Sequence, residues 1–324
     1  MQRILVFFKL FFFQLLLIVS QAKSYPEWFQ NYVHKHNKMY TVAQTHRAYH
    51  ILKPKYEHTL VKNTIKLALN HFSDQNISKK MFAYSRASKQ KHVRKHRLGT
   101  PSSFDWRTHG VVTPPGTQGQ CGGCFAFASL TSLEYWFHKK TNSLVKLSTQ
   151  LALDCSKQLI PDSDGCDGGL MEDVFKTAQT YPITLQKFDT FKQRDDVCPP
   201  PPSTPRIFVD TYTTMSDEWN DPIEQNLKHN LLSFGPIPVG IDTQSLNFEL
   251  YSGGVMDGSH CGKDVDHAVA VVGYTPNYWI IKNSWGDTWG EHGYFRLKKG
   301  TNACGINSYA SFATNAHVCL NKKC

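Results

Sequence analysis

No cysteine precedes residue 121 in this 324-residue chain, although nine follow, at 121, 124, 155, 166, 198, 261, 304, 319 and 324. Acidic residues are nearly missing from the N-terminal part. Between 23 and 99, Glu27, Glu57 and Asp74 stand against 16 Lys+Arg, a local charge of +13. Beyond residue 100 the balance reverses, with 18 Lys+Arg against 23 Asp+Glu, or −5, so the net +10 of the chain belongs to its N-terminal part. Long apolar runs are lacking too. Leu10 to Val19, broken by Gln14, falls short of the ~20 residues that span a bilayer, and no later stretch is longer, which excludes a stable membrane anchor. Internal repeats are absent. One N-glycosylation sequon, Asn76-Ile77-Ser78, is present and none lies beyond residue 100, which excludes sorting by a glycan on that part.

What is there begins with Arg3 and Lys9 ahead of that apolar run and Ser20-Gln21-Ala22 after it, the pattern of a secretory signal over residues 1–22. An oxidising compartment permits disulfides, and an odd cysteine count leaves at least one thiol unpaired within a monomer. The length suits one large or two medium domains, and 40% apolar residues can fill their core. The +13 block has two readings: a nucleic-acid or heparin-binding arm, or a segment that docks on the acidic remainder of its own chain.

Residues 23–75 read as mostly helical, with Pro54 expected to end or kink a helix and Leu67 to Asp74 alternating like a short strand. Residues 78–99 are basic and poor in apolar side chains, a linker open to proteases. From Thr100 the composition changes. Cys124 follows a Gly-rich loop and heads an unbroken run, Phe125 to Leu133, that predicts a helix. Ser148 is the expected N-cap of a second helix, and Leu170 to Ala178 predicts a third. From about residue 206 strands dominate: 207–209, 237–241, 268–272, 278–281 and 293–297. Helices first and strands second predict an α+β fold with two lobes.

The stretch Gln118 to Phe127 carries three readings. Cys121 and Cys124 are structural half-cystines, or a redox pair with thioredoxin-like spacing, or a nucleophile beside a structural cysteine. A thiol at a helix start feels the positive end of the dipole, which favours the nucleophilic thiolate. Such a thiol needs a base, and the base needs an orienting partner. Of seven histidines beyond residue 100, His267 stands out at the head of a buried-looking strand, and Asn283 follows a second one with Trp285 to shield it.

These motifs together resemble the papain-like cysteine proteases, in the pattern of papain and cathepsin L. The nucleophile motif is Gln118-x-x-Cys121-Gly122-x-Cys124-x-Ala126-Phe127, the histidine motif Val265-Asp266-His267-Ala268-Val269, and the asparagine motif Lys282-Asn283-Ser284-Trp285-Gly286 continuing to Tyr294. The resemblance implies Cys124 as nucleophile and His267 as base and then acid, held largely as a thiolate–imidazolium pair. It implies Asn283 as orienter, and an oxyanion hole from the Gln118 side chain and the Cys124 N–H. It implies a papain-like two-lobe fold with a helical left lobe and an antiparallel, β-barrel-like right lobe, and no metal or organic cofactor. Disulfides are implied for Cys121–Cys166, Cys155–Cys198 and Cys261–Cys304, with Cys319 and Cys324 as a further candidate pair in a short extension from about 314.

The resemblance further implies a signal peptide over 1–22, an inhibitory helical propeptide over 23–99 and a mature peptidase domain over 100–324. Ala68-x-Asn70-x-Phe72-x-Asp74 matches a propeptide segment, with Ala where the family has Gly. Gly123 and Phe125 stand where the family usually has Ser and Trp, which predicts altered rate or specificity. Gly168 and Gly169 match the backbone that pairs with substrate. Leu170, Met171, Val265 and Ala268 map to the pocket for the P2 side chain and Tyr309 to the position that sets its depth, with Asp266 and Trp285 as further substrate-binding residues. Tyr309 is expected to shorten that pocket and offers no carboxylate for P2 Arg. The cathepsin B occluding loop is absent. The implied protein is a secreted, lysosomal or vacuolar thiol endopeptidase made as a zymogen and preferring apolar P2. Its implied partners are protein and peptide substrates, its own propeptide and cystatin-type inhibitors, with no nucleic acid in the mature form. The alternative is a catalytically weak papain-fold binding protein.

Overall fold

The structure is a computed structural model that describes residues 25–75, 100–201, 205–216 and 223–321. The expected signal segment, the sequon at Asn76, the basic linker 78–99 and Cys324 lie outside the described residues. The chain divides into two compact units, one formed by 25–63 with 67–75, the other by 64–66 with the chain from 100 onward.

The first unit is built on helices α1 (Glu27–Lys35) and α2 (Val42–Thr59). Thr41 caps α2 in a reciprocal box: Thr41 N donates to Gln44 Oε1 at 2.8 Å and Gln44 N donates to Thr41 Oγ1 at 3.4 Å. Phe29, Tyr32, Ala48 and Leu52 form the buried core between the helices. Of the two outcomes expected at Pro54, an end to the helix does not occur, since the helix continues to Thr59. Pro54 and His50 both lie on an exposed face, so the carbonyl robbed of its N–H partner stays open to water. Nor is Leu67 to Asp74 a strand beyond its first residue. Asn70 turns the chain instead: its Oδ1 accepts from Phe72 N at 3.3 Å, and Ser73 N donates to Asn70 O at 3.1 Å. Asp74 then receives Lys38 Nζ at 2.9 Å, Tyr32 Oη at 3.0 Å and the Tyr40 hydroxyl.

The second unit has its helices gathered first: α3 (Cys124–Thr141), α4 (Thr149–Leu159) and α5 (Met171–Thr180). Helix α3 is buried continuously from Cys124 to Phe137 save Phe127, with the polar Ser129, Thr131, Ser132 and Glu134 enclosed among its apolar side chains. Ser148 caps α4 by accepting from Leu151 N at 3.0 Å, as its position in the sequence predicts. A fourth helix, α6 (Ile223–Phe234), lacks a clear signal in the sequence because strands dominate around it.

The strands are β1 (Phe104–Asp105), β2 (Ile183–Thr184), β3 (Arg206–Ser216), β4 (Ile237–Ile241), β5 (Val255–Met256), β6 (His267–Tyr274), β7 (Tyr278–Lys282), β8 (Tyr294–Lys298) and β9 (Tyr309–Cys319). They form one sheet in the order β2-β3-β9-β4-β6-β7-β8-β5, with β1 on β6. The sheet is an open path rather than a closed barrel, and it is antiparallel except for the β8–β5 pair. Helices before strands in one unit give the expected two-lobe α+β architecture. The unbroken apolar run of β6 is explained by its place between β4 and β7, where all eight of its residues are buried. The extension expected from about 314 is no loose tail: β9 carries it to Cys319, which pairs with Arg206 of β3.

Disulfides join Cys121 to Cys166, Cys155 to Cys198 and Cys261 to Cys304, the three implied pairs. Cys319 is also disulfide-bonded. Among the described residues Cys124 is the free cysteine. No helix among the described residues is long and apolar enough to cross a membrane.

Candidate active site

Cys124 is the first residue of α3, capped by Gly123, so the sulfur sits at the positive end of an 18-residue helix. His267 is the first residue of β6, and Asn283 follows the last residue of β7. The antiparallel pairing of β6 with β7 places the last two side by side: His267 Nε2 and Asn283 Oδ1 are 2.7 Å apart. That bond leaves His267 Nδ1 buried without a hydrogen-bond partner. The Cys124 sulfur lies near the Ala268 N–H, directly after His267, and both Cys124 and His267 are fully buried. Burial pushes the Cys124 thiol up to about 12, against the lowering effect of the Ala268 and Phe125 N–H groups. Burial likewise pulls the His267 imidazole down to about 4, opposed by its bond to Asn283. Each group standing alone is therefore held neutral. Trp285 lies over the pair, its ring centroid 5.2 Å from that of His267 and its side chain buried.

Lys282, next to Asn283, fastens β7 to the helix. Its Nζ donates to Thr113 Oγ1 at 3.0 Å and to Thr131 Oγ1, on α3, at 3.3 Å, with Glu134 Oε2 at 3.9 Å. Burial pulls this ammonium down to about 8.

Gln118 is buried beside the helix start, and its Nε2 donates to Cys121 O at 3.0 Å. Ser284, which the sequence reading passed over as part of a motif, holds the other end of that amide. Gly123 has Leu153, Cys121 and Phe191 around the place of a side chain, the nearest atom 3.3 Å from an added Cβ. Phe125 is fully buried, with its ring so close to Gly169 that a Cβ there would meet it at 2.8 Å. Gly168, at φ +124°, takes a backbone conformation that only glycine adopts readily.

The expected P2 residues come from three elements. Leu170 and Met171 are buried at the start of α5, and Ala268 is buried in β6. Val265 and Tyr309 pack around Gly240 of β4: an added Cβ there would lie 2.7 Å from Val265 Cγ1 and 3.5 Å from Tyr309 Cβ. Asp266 turns elsewhere, its Oδ1 accepting from Thr243 N at 2.7 Å and Thr243 Oγ1 at 3.0 Å, while burial raises its carboxyl to about 6. Tyr309 itself is fully buried, and its hydroxyl donates to the Glu172 carboxylate. Glu172 Oε2 also accepts from Thr214 at 3.0 Å, and Glu172 Oε1 from Lys176 Nζ at 2.9 Å. A carboxylate thus lies behind the tyrosine that offers none. Nothing in sequence spacing links residues 172 and 309.

Among the described residues no group of three His, Cys, Asp or Glu side chains is arranged to hold a metal ion.

The family model for papain family cysteine proteases matches residues 100–314. Vignain of Ricinus communis is 33% identical over 305 residues, covering 86% of this chain and 81% of that protein. Cathepsin L of Sarcophaga peregrina is 33% identical over 277 residues, covering 78% and 79% respectively. Among solved structures, the digestive procathepsin L 3 of Tenebrio molitor larval midgut superposes with a TM-score of 0.77 at 27% identity, over 89% of this chain and 98% of that one.

Proposed function

Because the chain belongs to the papain family of cysteine proteases, we propose that it is a thiol endopeptidase whose reaction runs on Cys124, His267, Asn283 and Gln118. The observation that carries this reading is the arrangement around one imidazole: Nε2 is bound to Asn283 Oδ1 at 2.7 Å, Nδ1 is left without a partner, and the thiol lies beside the next residue's N–H.

The Cys124 proton passes to His267 Nδ1, and the two charges formed side by side offset the burial that keeps each group neutral alone. The sulfur attacks the scissile carbonyl carbon, and the C=O electron pair moves onto oxygen. The remaining Gln118 Nε2 hydrogen and the Cys124 backbone N–H donate to that oxyanion. Collapse breaks the C–N bond as His267 Nδ1 returns its proton to the leaving amine. Water then attacks the thioester as His267 takes its proton, and collapse breaks the C–S bond to release the acid and the Cys124 thiolate beside the imidazolium. Asn283 keeps the ring in plane with the sulfur throughout.

Substrate backbone pairs with Gly168–Gly169, and the P2 side chain enters a pocket of Leu170, Met171, Val265 and Ala268 floored by Tyr309, which favours apolar P2. Residues 1–22 act as signal and 23–99 as inhibitory propeptide, with the mature enzyme from about Thr100. The enzyme works in the secretory route, in a lysosome or vacuole or outside the cell.

Acid-triggered processing of the full-length protein, beside Cys124→Ala, tests this. The wild type loses residues up to about Gly99 and gains amidolysis that iodoacetamide abolishes, and the variant does neither. A wild type trimmed by added protease that stays inert and unalkylated overturns the reading in favour of a papain-fold binding protein, with Gly123 and Phe125 as the cause.

A further inference from the structure

Residues 191–196 form a strap whose contacts reach three separate parts of the candidate site. Phe191 stacks edge-on against Phe127 of α3, centroids 5.0 Å apart, and its ring lies beside Gly123. Gln193 lays its amide against Gly119 in the Gln118 loop, where an added Cβ would sit 1.9 Å from Gln193 Oε1. Asp195 Oδ1 accepts from Cys166 N at 2.7 Å and lies against Gly165, at the foot of the Gly168–Gly169 loop. One short segment therefore touches the nucleophile's helix start, the oxyanion loop and the substrate loop.

The strap does not hold this shape unaided. Gln193 at its apex has φ +57°, a left-handed backbone that a residue with a Cβ adopts at a cost. What holds it is a fully buried side chain on α4. Gln150 Oε1 accepts from Lys192 N at 2.7 Å, and Gln150 Nε2 donates to Arg194 O at 2.8 Å, stapling the residues on either side of the apex. One turn on, Asp154 Oδ1 accepts from Asp196 N at 2.8 Å and from Gln150 Nε2 at 3.0 Å. The Cys155–Cys198 disulfide closes the same segment just beyond. A strained residue at the edge of a site, kept in place by a buried two-way amide, is a device for positioning.

We propose that Gln150 is a positioning residue for the peptidase reaction, acting through the 191–196 strap to set the oxyanion loop against the head of α3. The inference rests on the peptidase reading above. It calls for an amide at 150, because one atom must accept and its neighbour must donate.

The test uses the processed wild-type enzyme, Gln150→Glu and Gln193→Gly, each normalised to thiol content by alkylation. The oxyanion contact is made in the transition state, so its misplacement lowers kcat and leaves KM nearly unchanged. Losing one oxyanion donor costs roughly 10²–10³ in kcat, and a loosened one is expected to cost about tenfold. The iodoacetamide rate at Cys124 needs no oxyanion hole and stays at the wild-type value. Gln193→Gly removes the left-handed cost, so its Tm holds or rises while kcat falls. Gln150→Glu regains activity relative to wild type as acid protonates the new carboxyl, which restores a donor to the Arg194 carbonyl; the adjacent Asp154 raises the pH at which this happens. Wild-type kcat in both variants, or losses confined to KM, overturn the proposal. A wild type without amidolysis would instead sink the peptidase reading itself.

Discussion

Ser284 Oγ donates to Gln118 Oε1 at 2.6 Å, and the backbone answers with Gln118 N donating to Ser284 O at 2.9 Å. This double link joins the residue after Asn283 to the loop that precedes the nucleophile. It decides how the Gln118 amide is turned, because a hydroxyl hydrogen seeks the oxygen and leaves the NH₂ group for Cys121 O and, in the proposed reaction, for the oxyanion.

Ser284→Ala removes that orientation and leaves a buried amide oxygen short of a donor. The variant is expected to lose roughly tenfold in kcat, within the 10²–10³ that loss of a whole donor costs, with KM within a factor of two. Steady-state kinetics on an apolar-P2 peptide would decide it; an unchanged kcat removes Ser284 from the positioning of Gln118.

The reactivity of the thiol carries a pH signature. With burial holding Cys124 up to about 12, only a very small part of the thiol is ionised at pH 7. Alkylation of the unprocessed protein is therefore expected to be slow at neutral pH and to accelerate tenfold per pH unit up to that value. Mass spectrometry of timed iodoacetamide reactions reads this directly. A plateau between pH 5 and 8 would mean that the ion pair already exists before processing.

Tyr309→Ala opens the floor of the proposed P2 pocket and uncovers Glu172. Substrates with P2 Arg are expected to gain at least about tenfold in kcat/KM relative to P2 Leu, from a charge-assisted contact in a buried setting. Lys176, already on Glu172 Oε1, limits the gain. The truncation costs roughly 3–5 kcal/mol of stability, so the ratio of the two substrates, not the absolute rate, is the measure. No shift in that ratio would place Glu172 outside the pocket.

In the N-terminal unit, burial pushes the Asp74 carboxyl up, but hydrogen bonds from Tyr40, Lys38 and Tyr32 outweigh it, and the pKa lies below the ordinary 3.8. A depressed carboxyl adds stability that is fully present above 3.8 and fades as pH falls through the native value. Asp74→Asn is expected to lower the stability of this unit by about 1.5–3 kcal/mol for each charged hydrogen bond lost, with the difference from wild type vanishing in strong acid. Denaturant titrations followed by Trp28, stacked on Tyr56 at 4.3 Å, report on this unit. A difference that grows below pH 3.8 would contradict the assignment.

Cys124, His267, Asn283 and Gln118 stand out in the sequence as candidates because the proposed chemistry demands fixed local surroundings: glycines before a helix start, a histidine heading an apolar strand, an asparagine after another. The strands at 237–241 and 267–274 were legible because a strand buried on both faces is written as a nearly unbroken apolar run. The disulfide pairs were readable only through the resemblance to a family, because spacing alone leaves many connectivities open.

What the chain by itself determined is therefore the α+β class and the set of candidate reacting groups, both properties of a few residues and their immediate neighbours. The tertiary structure alone decided the fate of Pro54, which stays helical because its face is exposed. It alone placed Glu172 behind Tyr309, 137 residues away, and set Gln193 against Gly119 under the hold of Gln150. These relations depend on which backbone segments lie side by side, and a local pattern carries no record of that: any polar residue at 150 or 172 would read as a solvated helix face until the fold buries it and supplies its partner.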